Sequence, residues 1–334
     1  MSQIIMTNRS PKISVIVCIL GIDQVVINCL ESIAQQTYKN YELIVVYKAS
    51  EDSRVSDVIC EIFGRAKCKK VIGQKEGKLS DARNLGISEA SGDFLTFIDG
   101  DDLVKPDHFK GLLSPVKKDI DAVFSMPELQ GEFSDQERKY FDNTDPGSFL
   151  ANEQFILNTP VVVWGKLFRK SLIDKYGIRF PTNVIFEDNY FHWAYLSVAN
   201  KVYITRGKTY VHFARSCSLM GKMKVKYSTE GLDNIKVLGE IVNFLQKNGR
   251  DDVVSYKLIR RYFLDAVNFT DKKHFEKLYN MFLEVLQRLP TRTNNQVILK
   301  LARLGYPKKT SNLRIFRMLV KGIFSRLSFM GEQK

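Results

Sequence analysis

The chain has 334 residues, of which 44% are hydrophobic and 26% are charged, a composition that indicates a folded globular protein and excludes a disordered chain. Its longest apolar runs, such as residues 13–20, have the length of a strand, so no membrane-spanning helix is predicted. The first residues show no basic and then apolar leader, so we expect a cytoplasmic protein.

The net charge of +13 lies entirely in the last third of the chain. Residues 222–334 contain 23 Lys and Arg against 10 Asp and Glu, whereas residues 1–221 contain 27 of each. Such a local surplus indicates an anionic partner, and a membrane surface, an acidic polysaccharide and a nucleic acid are all candidates at this point.

The first part of the chain alternates between strand and helix patterns. Apolar runs predict strands at residues 13–19, 42–46 and 70–72, and apolar side chains at helical spacing predict helices at residues 22–33 and 55–63. The pattern is typical of βαβ units, in which a mainly parallel sheet is covered by helices.

A further helix and the most apolar strand follow. Ser80 is predicted as the N-cap of a helix that ends near Ala90. Residues 94–98 are uninterrupted apolar or Thr, as expected for a strand at the centre of a sheet that is covered on both faces. The sequence therefore predicts an α/β fold with this strand at its centre.

Three carboxylates stand where this central strand ends. Asp99, Asp101 and Asp102 are separated only by Gly100, and no matching run of Lys or Arg lies beside them in the sequence. Ligands of open α/β sheets bind at the carboxyl ends of strands. Closely spaced carboxylates repel one another unless a cation lies among them, and oxygen ligands suit Mg²⁺ or Mn²⁺.

The remaining elements are less regular. Pro106 and Asp107 open another helix, and residues 127–147 are rich in turn-forming residues and predict an irregular loop. The other elements are predicted from apolar periodicity: strands at residues 121–126, 202–204 and 209–213, and helices at residues 187–199 and from about residue 228 onward. The five cysteines have no C-x-x-C spacing, so free thiols in a reducing compartment are expected.

Five segments of the chain form an ordered pattern at residues 11–17, 35–46, 77–102, 164–173 and 186–191. The most specific one contains Ala82-Arg83-Asn84, the central strand and the acid cluster. In this order, the five segments resemble glycosyltransferase family 2. Because the match covers roughly residues 11–220 in the family's order, the resemblance is far more specific than any single motif.

The resemblance implies a fold and a reaction. The fold is GT-A, a Rossmann-like, mainly parallel sheet flanked by helices, here expected at residues 1–221, with a basic helical appendage at residues 222–334. The reaction is transfer of a sugar, with inversion and with Mn²⁺ or Mg²⁺, from a nucleotide-diphosphate sugar, in this family commonly a UDP-sugar. The acceptor implied is a surface glycan or a lipid-linked or protein-linked saccharide.

The resemblance also implies roles for the residues around the acid cluster. Asp101 corresponds to the main metal ligand, with Asp99 near the ribose or the metal. A late histidine, His212, either completes the metal shell or is structural. Arg83 and Asn84 correspond to nucleotide-facing residues, although Arg83 paired with Asp81 or Asp99 would equally brace the site. Arg215, on the loop that follows, is expected to close over the diphosphate.

Acceptor-side roles fall on later residues. By resemblance, Asp188 is the general base and Glu187 its neighbour in contact with the acceptor, and the alternative is that both acids only cap a helix. Trp164 either stacks on an acceptor sugar or belongs to the core. Asp102 either orients the metal or the acceptor, or is a turn residue.

The sequence departs from the family after its first two strands. The first strand continues as Cys18-Ile-Leu-Gly21, and the second is followed by Tyr47-Lys-Ala-Ser50, where the family carries carboxylates that hold the base and ribose. Tyr47 is a candidate to stack on a base and Asp52 a candidate to replace the missing acid. A catalytically inactive nucleotide-sugar-binding protein is therefore an alternative function.

The end of the chain has the pattern of an interfacial helix. Residues 312–330 have apolar side chains at i, i+3, i+4 spacing, with Arg314, Arg317 and Lys321 on another side. Such a helix is expected at an anionic membrane surface, which would make the protein peripheral on the inner face of the membrane, or in a packing or oligomer contact. Nucleic acid is the less favoured partner, because no known binding motif accompanies the basic residues.

Overall fold

The structure, a computed structural model, describes residues 10–48, 54–64, 70–74, 77–117, 119–142, 145–214 and 231–289. The chain divides into two compact units. One comprises Met1–Asn183 and Val198–Ser216, and the other comprises Val184–Ser197 and Cys217–Lys334.

The first unit is a sheet flanked by helices. Its strands are β1 (Ile13–Ile19), β2 (Tyr41–Lys48), β3 (Lys70–Gln74), β4 (Phe94–Asp99), β5 (Leu103–Val104), β6 (Ile120–Gln130), β7 (Gly147–Leu150), β8 (Lys166–Arg169) and β9 (Lys201–Phe213). Its helices are α1 (Gln24–Ala34), α2 (Val55–Phe63), α3 (Leu79–Glu89), α4 (His108–Leu113), α5 (Asp135–Asp142), α6 (Glu153–Asn158) and α7 (Lys170–Tyr176).

The sheet is mixed, with strand order β3-β2-β1-β4-β8-β6-β9-β5 and with β7 paired to β9. Strands β3, β2, β1 and β4 run parallel, and β8 is antiparallel to β4. In β4 only Asp99 is not fully buried, which fits a central strand whose end reaches the surface. The prediction of an α/β sheet flanked by helices and followed by further helices is confirmed.

The parallel strands place the functional edge of the sheet. Cys18 of β1 lies opposite both Val46 of β2 and Asp99 of β4, so the three strands end side by side. The crevice beyond such carboxyl ends is where α/β sheets bind ligands. The acid cluster is therefore at the edge that the sequence predicted.

The predicted N-cap of α3 was wrong. The helix begins at Leu79, and Lys78 takes the cap position, where its backbone N–H donates to Asp81 Oδ2 at 2.8 Å. Ser80 lies inside the helix and is buried. Asp81 in the first turn therefore satisfies the backbone N–H of the cap residue, whereas a Ser side chain at the cap would have accepted an N–H from within the first turn.

The prediction of an irregular loop at residues 127–147 was wrong in part. Strand β6 continues to Gln130, with a register shift between Ser125 and Pro127 that accommodates the proline. Helix α5 follows, and Ser134 and Glu137 bond reciprocally before and within its first turn. This capping box was present in the sequence but was outweighed by the turn-forming residues around it.

Helices make up the described part of the second unit. They are α8 (Glu187–Val198), of which all but Val198 belongs to this unit, α9 (Gly231–Lys247), α10 (Tyr256–Phe269) and α11 (Phe275–Gln287). Helices α10 and α11 each bury an apolar stripe, and Phe263 and Phe282 stack between them with ring centroids 4.3 Å apart. In the described ranges, no helix has the length and apolar character needed to cross a bilayer. The predicted interfacial helix at residues 312–330 lies outside the described residues.

A buried carboxylate near the amino ends of the parallel strands, away from the acid cluster, joins three segments of the first unit. Glu42 accepts hydrogen bonds from Lys12 Nζ at 2.8 Å, Ser14 Oγ at 2.6 Å and the Ser91 backbone N–H at 2.6 Å. Burial alone would raise the pKa of Glu42, but these hydrogen bonds outweigh it and lower the pKa to about 2.

This depressed pKa gives a prediction for stability against pH. The contribution of ionised Glu42 is fully present above its ordinary pKa of 4.5 and is lost as the pH falls toward about 2. We expect Glu42→Gln to lower the free energy of unfolding by about 3–5 kcal/mol at pH 7, because it breaks a buried ion pair. In urea titrations, the difference in free energy of unfolding between the variant and the wild type should narrow as the pH falls from 5 to 3. The same change at exposed Glu31 is the control, and a gap that is constant over this pH range would contradict the assignment.

Candidate active site

The acid cluster forms a compact group at the end of β4. One carboxylate oxygen each from Asp99, Asp101 and Asp102 lies within 4.8 Å of the others, and Asp101 is exposed whereas Asp102 is buried. The turn is closed by the Asp102 N–H, which donates to the Asp99 carbonyl at 3.0 Å. A Cβ on Gly100 would lie 2.7 Å from Ile19 Cγ2, so the tight packing of this turn on β1 requires glycine.

Asp102 is the anchor of this turn. Its carboxylate accepts the Tyr210 hydroxyl at 2.8 Å and the Phe213 backbone N–H at 3.2 Å, and it bonds His212 Nδ1 at 2.9 Å. Its side chain is only 1% exposed. The carboxylate therefore ties the turn after β4 to strand β9, 108 residues further along the chain.

Tyr210 joins the two ends of the same turn. Its hydroxyl accepts the Asp99 N–H at 3.2 Å while it donates to Asp102. Burial, assisted by the charges of Asp102 and Asp99, raises the pKa of Tyr210 well above its ordinary value, so the hydroxyl stays protonated and keeps its donor role. Sequence reasoning missed Tyr210, although its spacing of two from His212 places both on one face of a strand.

His212 lies between the acid cluster and an aromatic group. Burial by itself lowers the pKa of His212, but the hydrogen bond and charge of Asp102, with the charges of Asp99 and Asp101, outweigh it and raise the pKa. Because Nδ1 faces Asp102, Nε2 is the ring nitrogen left to face a ligand. A carboxylate behind one imidazole nitrogen is the arrangement that orients metal-binding histidines.

Trp164 packs against this network rather than standing open to solvent. Its ring stacks on His212 at 4.5 Å and on Tyr210 at 4.8 Å between centroids, and it is 6% exposed. A cavity of about 30 Å³ beside it, also lined by Phe141 and Lys166, has room for a few waters.

Arg83 and Asn84 lie on α3, where Arg83 contacts Asp99 and Phe180 and Asn84 contacts the backbone of Phe180. Arg83 is buried, with Nη2 3.3 Å from Asp99 Oδ1 and its guanidinium carbon 5.3 Å from the centre of the Phe180 ring. Asn84 bonds the Phe180 backbone twice, donating to its carbonyl and accepting its N–H, both at 2.8 Å. The expected brace between Arg83 and Asp99 is therefore present, and the Asn84 amide holds the segment before residue 183.

Desolvation raises the pKa of Asp99, and the charge of Arg83 acts against this shift while that of Asp102 adds to it. A third of the Asp99 side chain is exposed, so its carboxylate can still meet a ligand. At the same end of the sheet, Tyr47 is the last residue but one of β2; it is partly buried and lies opposite Ile19 of β1. The other donor-site candidates, Asp52 and Arg215, lie outside the described residues.

The predicted catalytic acids Glu187 and Asp188 belong to the second unit. They are the first two residues of α8 and are partly buried. The preceding residue, Phe186, has φ 71°, a conformation that costs a bulky residue about 1–3 kcal/mol. Backbone strain of this kind is concentrated at functional sites.

Comparisons with known proteins agree with this architecture. A family model described as glycosyl transferase family 2 matches residues 14–177. Glycosyltransferase GlyG of Streptococcus pneumoniae serotype 4 is 30% identical over 232 residues, covering 63% of this chain and 73% of GlyG. Glycosyltransferase GlyA of the same organism is 30% identical over 221 residues, which are 62% of this chain but only 31% of GlyA.

A solved structure shows the same fold. The crystal structure of S. aureus TarS residues 1–349 in complex with UDP-GlcNAc superimposes with a TM-score of 0.71 at 20% identity, and the match covers 87% of this chain and 85% of that one. At this identity the likeness concerns the fold, which is the predicted GT-A arrangement.

Proposed function

The chain belongs to glycosyltransferase family 2, and from this premise we propose that it transfers a sugar from a nucleotide-diphosphate sugar to an acceptor hydroxyl, with inversion. The observation that carries the proposal is the cluster of Asp99, Asp101 and Asp102 at the carboxyl end of the central strand. A sheet edge that ends in clustered carboxylates is suited to holding a diphosphate through a divalent cation.

The cluster fits a divalent cation such as Mn²⁺ or Mg²⁺. Asp101 is exposed and Asp99 is partly exposed, so both can offer oxygen ligands, while Asp102 is engaged inside the protein and orients His212. A bound cation would neutralise charge on the leaving diphosphate. We assign to Asp102 the positioning of His212 and of the turn rather than direct contact with acceptor.

The donor is proposed to be a UDP-sugar. Support comes from the fold shared with TarS, which was crystallised with UDP-GlcNAc. Tyr47 at the end of β2 is proposed to contact the base, with Asp52 in place of the family's carboxylate and Arg215 at the diphosphate. Arg83, held against Asp99, is proposed to keep that carboxylate oriented toward the ribose or the cation.

The chemistry requires a base on the acceptor side. We propose that Asp188 takes the proton from the acceptor hydroxyl as the new bond to the anomeric carbon forms and the bond to the diphosphate oxygen breaks. Glu187 is proposed to contact the acceptor beside it. From the family resemblance, we propose that the acceptor is a surface glycan or a lipid-linked or protein-linked saccharide.

A panel of nucleotide sugars tests the proposal. We expect the purified protein to hydrolyse one UDP-sugar slowly in the presence of Mn²⁺ or Mg²⁺, and to do so much less when the metal is removed with a chelator. Hydrolysis of no donor in the panel, together with measurable nucleotide binding, would instead favour the inactive nucleotide-sugar-binding protein that the altered end of β2 suggests.

A further inference from the structure

The turn before α8 is held by side chains from the helices of the same unit. The Ile185 N–H donates to Asp233 Oδ2 of α9 at 3.0 Å. The Phe186 ring packs against Phe269 of α10, with 6.1 Å between ring centroids. Two helices that follow in the sequence by about 50 to 80 residues therefore contact the two residues that precede Glu187 and Asp188.

A third contact fixes the first turn of α8 itself. The Phe186 carbonyl accepts both the Asn189 backbone N–H at 3.0 Å and Asn189 Nδ2 at 3.3 Å. The orientation of that amide is set by Tyr262 of α10, whose hydroxyl donates to Asn189 Oδ1 at 2.9 Å. Tyr262 is 1% exposed, so its hydroxyl has little freedom to move.

Helices α9 and α10 are themselves locked together. A Cβ on Gly231, the first residue of α9, would lie 2.0 Å from Thr270 Oγ1 and 2.3 Å from the Ala266 carbonyl. The start of α9 thus packs directly on the end of α10, close to the residues that carry the contacts. Only Leu232 separates Gly231 from Asp233, so this packing also places the Asp233 carboxylate.

These contacts explain how the strained backbone conformation of Phe186 is maintained. A bulky residue at φ 71° persists only where its surroundings enforce that conformation. Here Asp233, Tyr262 and Phe269 hold the backbone in this conformation. They contact the residues just before and just after the two acids. Without these contacts, the backbone at Phe186 would relax, and the orientation of the Asp188 side chain would change.

We propose that Asp233 and Tyr262 are positioning residues for sugar transfer, which hold the strained turn and thereby aim the Asp188 carboxylate. The inference rests on the proposed role of Asp188 as base. It assigns to the helical part of the chain a function in catalysis.

Matched variants test this inference. We expect Asp233→Ala and Tyr262→Phe to lower kcat for transfer by about 10-fold or more, because a misplacement on the order of 1 Å in a reacting group costs about 10²-fold. Donor affinity, measured by calorimetry, should be unchanged. Asp233→Asn keeps an oxygen for the Ile185 N–H and should restore most of the turnover that Asp233→Ala loses.

The control removes a nearby group without touching the turn. Tyr256→Phe deletes a hydroxyl on α10 that pairs with Arg260 and should leave kcat unchanged. Full turnover in Asp233→Ala and Tyr262→Phe beside an inactive Asp188→Asn would overturn the inference and leave the proposed base standing. Full turnover in Asp188→Asn would overturn the proposed base and, with it, the positioning role.

Discussion

Asp101→Asn is expected to abolish metal-dependent sugar transfer while the protein stays folded. Asp101 is the exposed member of the cluster, so its carboxylate is the one best placed to bind a cation from solution. Amides are weaker ligands than carboxylates for hard cations. Since changes to groups behind a metal ligand alone cost about 10–100-fold, loss of the ligand itself should lower kcat/KM by more than about 100-fold.

The fold should tolerate this change because it lies on the surface. Exposed substitutions are usually within about 0.5 kcal/mol of neutral, and removal of one of three neighbouring negative charges relieves repulsion. Donor turnover at increasing Mn²⁺ and direct Mn²⁺ binding by calorimetry measure the effect, and thermal unfolding checks the fold. Asp107→Asn makes the same change at an exposed position outside the cluster and serves as the control. Normal turnover of donor by Asp101→Asn would show that Asp101 does not bind the metal.

Local patterns were sufficient for the parallel half of the sheet. Strands β1, β2 and β4 were predicted close to their observed bounds because each is a short apolar run between polar segments, and buried parallel strands have this pattern. The position of Asp99 at the end of β4 followed from the same run. The cluster could thus be located from sequence before any contact was known.

The contacts that organise the site could not be predicted in the same way. Asp102 bonds Tyr210 from 108 residues away, and Asn84 bonds Phe180 from 96 residues away. Hydrogen bonds between such distant segments depend on the complete topology and leave no periodic signal in either segment. For this reason the sequence could not decide whether Asp102 is a ligand or a turn residue. The structure shows that it links the turn after β4 to β9.

The same limit applied to the C-terminal third. Its net charge drew attention to an anionic partner, because charge can be counted from sequence. Asp233 contacts the turn before α8 and Tyr262 contacts its first turn, each through one polar side-chain atom. The helices carry many other polar side chains that look the same in the sequence. Only the fold shows which of these atoms meet residues next to the proposed catalytic acids.

Asp188→Asn is expected to lose sugar transfer and to keep donor binding. A general base acts on the acceptor hydroxyl, and its contribution is typically about 10²–10⁴-fold in rate. Asn matches Asp in size, so helix α8 should form normally, although an amide cannot accept the proton at neutral pH. Turnover with acceptor should therefore fall by about this factor, while the dissociation constant for the donor, measured by calorimetry, should not change.

Glu187→Gln separates the two adjacent acids. Both residues lie in the first turn of α8, so either substitution removes one negative charge that favours the helix N-terminus, and both should change stability to the same small extent. If Asp188 is the base, Asp188→Asn loses kcat, whereas Glu187→Gln mainly raises KM for the acceptor, because Glu187 is proposed only to contact it. Loss of kcat in Glu187→Gln with normal turnover in Asp188→Asn would transfer the role of base to Glu187. Equal and modest losses in both variants, matched by equal losses in thermal stability, would show that the two acids only stabilise the start of the helix.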